Sequence, residues 1–429
     1  MGRAEAILTR AAWRLIPVMC LMYVASFLDR SNVSFAALTM NRDLGLSPAA
    51  YGFASGIFFW GYFFFEVPSN LMLAKMGARA WMCRIMVSWG VLSMANAFVT
   101  GAASYSIVRF FLGAAEAGLY PGLILYMTYW FPQATRARFI ALFLAAVPAA
   151  SALGGPLSGW LLGFEGGLHG WQWMFLLEGI PSVLLGLAVL WLLPDRPASA
   201  SWLSAEEKQI IAARLVADQA DDGRIGAMHG FWEMLGDKRI WIFMLADFPI
   251  VIALYGINLW MPLMIKELGF SNLETGFLVV LPYAVAMAAM VLIGASSDRR
   301  GERVFHVAGS ALFGSAGLFW AAFAHSPVAL ILAFCIGSAG MYAALAVFWT
   351  LPTAILRGLA AAGGLALLNS FANLGGFVGP YLMGWAKEQT GTYAFGLEVL
   401  GGFLALACVN VILIGRAFFS ARLDSPSAS

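Results

Sequence analysis

Charge is scarce in this sequence: Asp, Glu, Lys and Arg together make up 11% of its 429 residues, against about 25% in a soluble domain. Hydrophobic residues make up 61%, more apolar surface than a soluble core can hide. The net charge is +2 and the basic residues are dispersed along the chain, which excludes a nucleic-acid partner. Four cysteines, Cys20, Cys83, Cys335 and Cys408, lie far apart in apolar runs. They form no disulfide framework and no CxxC metal pattern, and read as small apolar packers. The four histidines, His169, His229, His306 and His325, fall near loops rather than in a ligand cluster. With no nucleophile–base pair, metal cluster, cofactor motif or phosphate-binding loop, an enzyme and an ATP-driven machine are both excluded, and no cofactor is expected.

Long apolar runs fill the space that charge leaves. A membrane-spanning helix needs about 20 mostly apolar residues. Such runs fall near 15–38, 50–74, 81–101, 104–130, 137–163 and 173–193, and again near 241–265, 274–296, 305–324, 327–350, 360–385 and 394–418. Lipid offers backbone groups no partners, so every run must be helical and the chain is an all-α polytopic membrane protein. Met1 to Arg14 is short and basic, and the apolar stretch that follows outruns a signal h-region and meets no small-residue cleavage site. It reads as a retained first span. The long polar stretch, 194–239, opens on Pro194-Asp195-Arg196-Pro197 and then carries Ser204-Ala205-Glu206-Glu207, a capping box that predicts a short surface helix. It divides the chain into an N-terminal six-helix half (1–193), a linker (194–239) and a C-terminal six-helix half (240–429).

The basic residues orient the spans. With the N-terminus inside, only Arg42, Lys266 and Lys387 of the 25 lie outside, and Arg30 and Arg109 lie within spans, which leaves 20 on the cytoplasmic side. Lys75, Arg79, Arg84, Arg136, Arg138 and the Arg299, Arg300, Arg303 cluster are among them. The positive-inside bias therefore places both termini and the linker in the cytoplasm.

The two halves repeat in register. Arg42-Asp43-Leu44-Gly45-Leu46-Ser47 matches Lys266-Glu267-Leu268-Gly269-Phe270-Ser271 at an offset of 224. The same offset, without a gap, matches Gly52-Phe53 to Gly276-Phe277 and Gly77-Ala78-Arg79 to Gly301-Glu302-Arg303. Parallel six-helix repeats about an axis along the membrane normal describe the major facilitator architecture of twelve spans.

Gly294-Ala295-Ser296-Ser297-Asp298-Arg299-Arg300-Gly301-Glu302-Arg303 fits the G-x-x-x-D-R-x-G-x-R loop of the major facilitator superfamily. The first-half copy, Asn70 to Arg79, keeps Lys75, Gly77 and Arg79 but has Ala74 in place of the acid. Asp298, Arg299, Gly301 and Arg303 are the candidate cytoplasmic gating loop, with Asp298 pairing nearby arginines at a helix end. The alternative is that the arginines are positive-inside anchors. Three further segments resemble signatures of the anion:cation symporter family: Phe27 to Ser34, Arg109 to Gly118 and Gly170 to Gly179. The resemblance covers essentially the whole chain and is closest to the tartrate and aromatic-carboxylate transporter branch. It implies a bacterial inner-membrane monomer that carries a small organic carboxylate.

A charge at mid-bilayer costs several kcal/mol, so it usually faces a cavity. Asp29 and Arg30 lie about 15 residues into the first span. Arg109 and Glu116 sit seven apart in the fourth, nearly two turns and about 10 Å along one side of a helix. Small residues, Gly113 to Ala115, Ala117 and Gly118, surround them and let helices approach closely. The four charges could neutralise one another. The functional reading gives the arginines, whose planar forks match carboxylates, to the substrate anion. It gives the acids to protons, since a carboxyl in an apolar setting and its nearby Arg respond to an arriving anion. The family resemblance implies the same roles: Asp29 and Glu116 for protons, Arg30 and Arg109 for the anion.

Other candidates for substrate binding are Tyr62 in the second span, Trp349 in Phe348-Trp349-Thr350-Leu351-Pro352, and Asn369 with Asn373, which share a face at i, i+4. Glu178 reads as structural, near the start of the sixth span. Glu66, Asp247 and Glu398 carry no assignment. Where sugar-acid transporters of the family often have an amide, Leu144 to Ala149 is apolar, which disfavours a polyhydroxylated six-carbon acid. The expectation is proton-coupled symport of tartrate or a related sugar acid or dicarboxylate, with protons, carboxylate and lipid as the only partners. Aromatic-carboxylate symport, and an exchanger or exporter on the same scaffold, are the alternatives.

Overall fold

The computed structural model describes residues 3–132, 135, 146–164, 166–220, 236–355 and 359–418. Arg136, Arg138, His229 and the side chains of the 144–149 stretch lie outside the described residues, as does the start of the fifth span. Every regular element among the described residues is helical. In chain order these are α1 (Arg3–Asp43), α2 (Pro48–Met76), α3 (Ala78–Ala95), α4 (Ala102–Glu116), α5 (Leu119–Trp130), α6 (Ala146–Leu161) and α7 (Gly170–Leu192). The linker carries α8 (Ala205–Ala220). Then come α9 (Lys238–Lys266), α10 (Asn272–Arg300), α11 (Val304–Ala322), α12 (Pro327–Phe348), α13 (Thr350–Ile355), α14 (Leu359–Asn373), α15 (Gly375–Thr390) and α16 (Ala394–Phe418). Nine stretches among the described residues are long and apolar enough to cross a bilayer. Large apolar side chains such as Phe64, Phe111, Leu184, Trp191, Leu245 and Leu292 are exposed along them, a surface suited to lipid rather than water.

Two expected continuous spans are interrupted. The fourth breaks after Glu116: Ala117 is extended and Gly118 has φ +89. The cause is local. Pro121 brings no N–H and its ring would meet the carbonyl four residues back, while Gly118 adopts the left-handed turn at little cost. The tenth, expected over 327–350, ends at Phe348, with the six-residue α13, which contains Pro352, beyond it. The eleventh breaks at Leu374, where Leu374 N–H donates to the Phe371 carbonyl (3.0 Å) in a tighter turn ahead of Gly375-Gly376.

The helix ends carry their own caps. Ser204 and Glu207 form the expected reciprocal box: Glu207 N donates to Ser204 Oγ (3.2 Å) and Ser204 N to Glu207 Oε2 (2.9 Å). Ser271 and Glu274 repeat it at the start of α10. The sequence repeat is also a backbone repeat. Gly45 and Gly269 take φ +62 and +96, and Gly77 and Gly301 take +92 and +63. Each pair is 224 residues apart, so the same left-handed turn recurs at the same helix boundary in each half.

The chain divides into two compact units, Met1–Thr39 with Ile57–Arg224, and Met40–Gly56 with Ile225–Ser429. In the first, α2 and α4 touch through backbone: a Cβ at Gly61 would strike the Phe110 carbonyl, and one at Gly113 the Phe58 carbonyl. That contact sets the depth at which Arg109 and Glu116 meet α1. In the second unit, the Glu388 carboxylate at the end of α15 accepts from Ser47 Oγ (2.7 Å) and Ala49 N (2.9 Å) at the start of α2. These bonds hold the Glu388 carboxyl below its ordinary value, the Ser47 hydroxyl contributing most.

Candidate functional site

Two adjacent residues of α1 face different partners. Asp29 is 3% exposed and turns to α3. It accepts from Trp89 Nε1 (2.8 Å) and from the Ser93 hydroxyl, and Asn32 Nδ2 lies 3.4 Å from it. Arg30 turns to α4, where its Nε donates to Glu116 Oε1 at 2.8 Å. Ser26, one turn earlier on α1, donates to the same oxygen at 2.6 Å. Glu116 is fully buried, and its Oε2 has no hydrogen-bond partner. Glu116 is the last residue of α4, so the helix break at Ala117–Gly118 ends the segment that carries it toward α1.

Arg109 differs from Arg30. It is 4% exposed, its Nε has no hydrogen-bond partner, and it makes no ion pair among the described residues. Its guanidinium lies 4.8 Å above the Phe58 ring, and Arg30 lies 5.6 Å from that ring and 5.3 Å from Tyr62. A ring face attracts a cation but accepts no hydrogen bond along the guanidinium edge. The pairing is therefore Arg30 with Glu116 rather than a neutral four-charge cluster, and among the described residues the Arg109 Nε has no acceptor. Asp29 still feels Arg109 electrostatically across the unit.

The candidates in the second unit are dispersed along the chain. Trp349 is half-buried at the end of α12, edge-on to Phe348. Asn369 and Asn373 are half-buried on α14. A polar cluster that sequence reasoning missed joins α9, α10 and α12: Tyr283 OH donates to Asn258 Oδ1 (3.2 Å) and Asn258 Nδ2 to the Tyr342 hydroxyl (2.9 Å). The available signal was an amide and two phenols in otherwise apolar spans. Asp247 on α9 is fully buried with both oxygens unpartnered. Glu178, expected near the start of its span, lies eight residues inside α7 and is buried.

The loop after α10 brings three of its four candidates together. Asp298 Oδ1 pairs with Arg303 Nη1 at 2.5 Å, and Gly301 makes the left-handed turn that caps the helix and reverses the chain. Arg303 also donates to Ser297 Oγ (3.0 Å). Arg299 is exposed and takes no part in these bonds. At the matching turn before α3, where Ala74 leaves no acid, Asp195 from the linker accepts from Arg79 N at 2.8 Å beside Gly77.

The family model for the Major Facilitator Superfamily matches residues 19–380. The chain belongs to the major facilitator superfamily. It is 45% identical over 413 residues to a "Putative tartrate transporter" of Agrobacterium vitis, covering 96% of this chain and 92% of that protein. It is 45% identical over 415 residues to the "Putative metabolite transport protein NicT" of Pseudomonas putida, covering 96% and 94%. The fold is that of a bacterial homologue of the human lysosomal transporter Spinster, with a TM-score of 0.78 at 18% identity over 97% of this chain and 98% of that one. The protein is thus an integral membrane transporter of the major facilitator fold, not an enzyme.

Proposed function

We propose that the transporter takes up a small organic carboxylate, tartrate or a related sugar acid or dicarboxylate, by proton-coupled symport through alternating access. The observation that carries the reading is Arg109: a buried guanidinium whose Nε has no acceptor and which makes no ion pair among the described residues. A buried charge left unpaired is costly, and an incoming carboxylate supplies two acceptors in the geometry of the fork. The tartrate description of the Agrobacterium relative supports the same substrate class.

In this reading the anion docks on Arg109 and its second polar end draws on Arg30. Arg30 is shared with Glu116 through one oxygen only, so a proton arriving at the unpartnered Glu116 Oε2 releases Arg30 to the substrate while Ser26 keeps its bond to Oε1. Asp29, held by Trp89, Ser93 and Asn32, is the second proton site. Uptake of an anion against a negative-inside potential is opposed by about 2.3 kcal/mol per charge per 100 mV. Co-moving protons remove that opposition. The chain would sit in a bacterial inner membrane with both termini and the 194–239 linker in the cytoplasm. An impermeant thiol reagent should then leave a Ser201→Cys variant unlabelled in intact cells.

The test uses proteoliposomes with an imposed pH gradient and labelled tartrate. Glu116→Gln copies the protonated acid, so gradient-driven accumulation should vanish while counterflow exchange persists. Full accumulation by the Asp29→Asn/Glu116→Gln double variant overturns the coupling assignment. A second reading, an aromatic carboxylate, is favoured by the Phe58 and Tyr62 rings under the two guanidiniums. Thermal-shift titration with tartrate against phthalate or hydroxyphenylacetate separates the two, since a ligand raises apparent stability by mass action.

A further inference from the structure

Three helices of the second unit, α10, α11 and α12, enclose a crevice of about 620 Å³, within the range of about 300–1,000 Å³ found for sites that hold an organic molecule. It exists because the packing there is thin. α12 contributes only Ala339, Gly340 and Ala343 to it. A Cβ on Gly340 would strike the backbone of Gly314 on α11, so these two helices touch through their backbones and α12 brings no large side chain to fill the space. On α11, a Cβ built on Gly309 would meet nothing within 4 Å. The walls are large and apolar: Leu292 of α10 is 68% exposed, and Phe305 and Phe313 of α11 are 57% and 52% exposed. Apolar surface gathered in this way marks a place that another molecule covers.

One end of the crevice is charged. Arg300, Glu302 and His306 line it there, at the turn between α10 and α11. Both acids of this turn are already committed. Asp298 pairs with Arg303. The Glu302 carboxylate accepts from Phe305 N (2.7 Å) and His306 N (3.2 Å), and meets His306 Nδ1 at 2.7 Å. His306 Nε2 lies 3.1 Å from Ser296 Oγ, so both ring nitrogens are used. Arg300, the last residue of α10, is exposed and makes no hydrogen bond or ion pair among the described residues. The crevice therefore ends on one cation without a counter-ion. From Arg300 its wall follows α10 back to Ala289, about 16 Å at 1.5 Å per residue.

We propose that this crevice binds an anionic phospholipid, with the phosphate on Arg300 and one acyl chain lying along α10 against Phe305, Gly309 and Phe313. The two ends call for different chemistry in a single ligand: an oxyanion, and an apolar tail that can run about 16 Å along the helix. A guanidinium grips phosphate through paired, charge-assisted bonds. A zwitterionic headgroup would add a cation for which the turn has no uncommitted acid. A soluble phosphate would leave the apolar walls bare.

Native mass spectrometry of the delipidated protein in detergent tests this, with phosphatidylglycerol and phosphatidylcholine of identical acyl chains added in equal amounts. The first lipid bound should be phosphatidylglycerol by about fivefold, the effect of one basic residue at a membrane surface. Arg300→Gln should remove that preference and leave phosphatidylcholine binding as it was. Gly309→Leu, built into open space, should weaken both lipids about fourfold for each chain methylene it displaces. Arg299→Gln, outside the crevice, should change neither. Equal binding of the two lipids to the wild type overturns the proposal, as does an unaltered preference in Arg300→Gln. Wild-type binding by Gly309→Leu would put the chain elsewhere. A preference lost as fully in Arg299→Gln would make the attraction diffuse surface charge. Full displacement by glycerol 3-phosphate would leave only a free-anion site, and a dimer that Gly309→Leu dissolves would give the crevice to a second copy of the chain. Each of these sinks the inference. Should Arg300→Gln fail to fold, Arg300→Lys keeps the charge without the fork and must show a reduced preference. The measurement involves no transport, so it stands apart from the proton-coupled reading.

Discussion

Arg30 and Glu116, 86 residues apart in sequence, are joined by a 2.8 Å bond from Nε to Oε1. That bond gives Glu116 the guanidinium that its own helix neighbour Arg109 does not supply, and it divides the work of the two arginines. Arg30 is tied to the buried Glu116, whereas the Arg109 Nε has no hydrogen-bond partner among the described residues.

The two arginines should therefore fail differently. Arg109→Lys keeps the charge and loses the fork. Carboxylate affinity should fall about tenfold to a hundredfold, as expected for losing roughly 1.5–3 kcal/mol of charge-assisted hydrogen bonding. Arg30→Lys should mainly alter the pH dependence of uptake. Equilibrium binding and uptake measured across pH would show it; wild-type behaviour of both variants would leave neither fork a role.

Asp298→Asn should slow transport more than it weakens binding, because the loop biases the equilibrium between states rather than touching ligand. The Asp298–Arg303 pair is exposed, with the Asp298 side chain 70% accessible, so stability should change by less than about 1 kcal/mol. Unchanged uptake at normal expression would reduce Asp298 to a surface charge.

Gly113→Val should yield little folded protein. Its Cβ would meet the Phe58 backbone carbonyl of α2, which no rotamer change can move. Overpacking of this kind costs about 1–3 kcal/mol, before counting the displacement of Arg109 and Glu116 relative to α1. Thermal unfolding in detergent would decide, and a melting temperature equal to wild type would mean that the helices can separate at no cost.

Acid should loosen the contact between Glu388 and the start of α2. The Glu388 carboxyl is held below its ordinary value by Ser47 and Ala49, so its contribution is present above the usual glutamate value of about 4.3 and is lost as pH falls through the lowered value. Glu388→Gln should flatten the acid limb of a plot of thermal stability against pH by lowering stability at neutral pH while leaving stability at low pH close to wild type. An identical acid limb in both proteins would assign the loss to other carboxyls.

Much of this molecule is decided by local sequence. Apolar length set the helices because lipid leaves the backbone no other partner, and the register of the repeat reappears as matched left-handed glycines at 45 and 269 and at 77 and 301. The capping box at Ser204 was likewise visible, since its bonds span three residues. The intramembrane charges were visible as exceptions in apolar runs. Their partners were not. Spacing along α4 placed Arg109 and Glu116 on one side of a helix, but an ion pair depends on the depth and rotation of neighbouring helices, which the Gly61 and Gly113 contacts set. The break after Glu116 needed Pro121 and Gly118 to be weighed together against a strongly apolar run. Asp29 finds Trp89 and Ser93, and Glu178 finds Ser158, only when α1, α3, α6 and α7 pack. Helix periodicity says which residues share a face; only tertiary packing decides what that face meets, because the meeting residues come from segments about 20 to 90 positions apart.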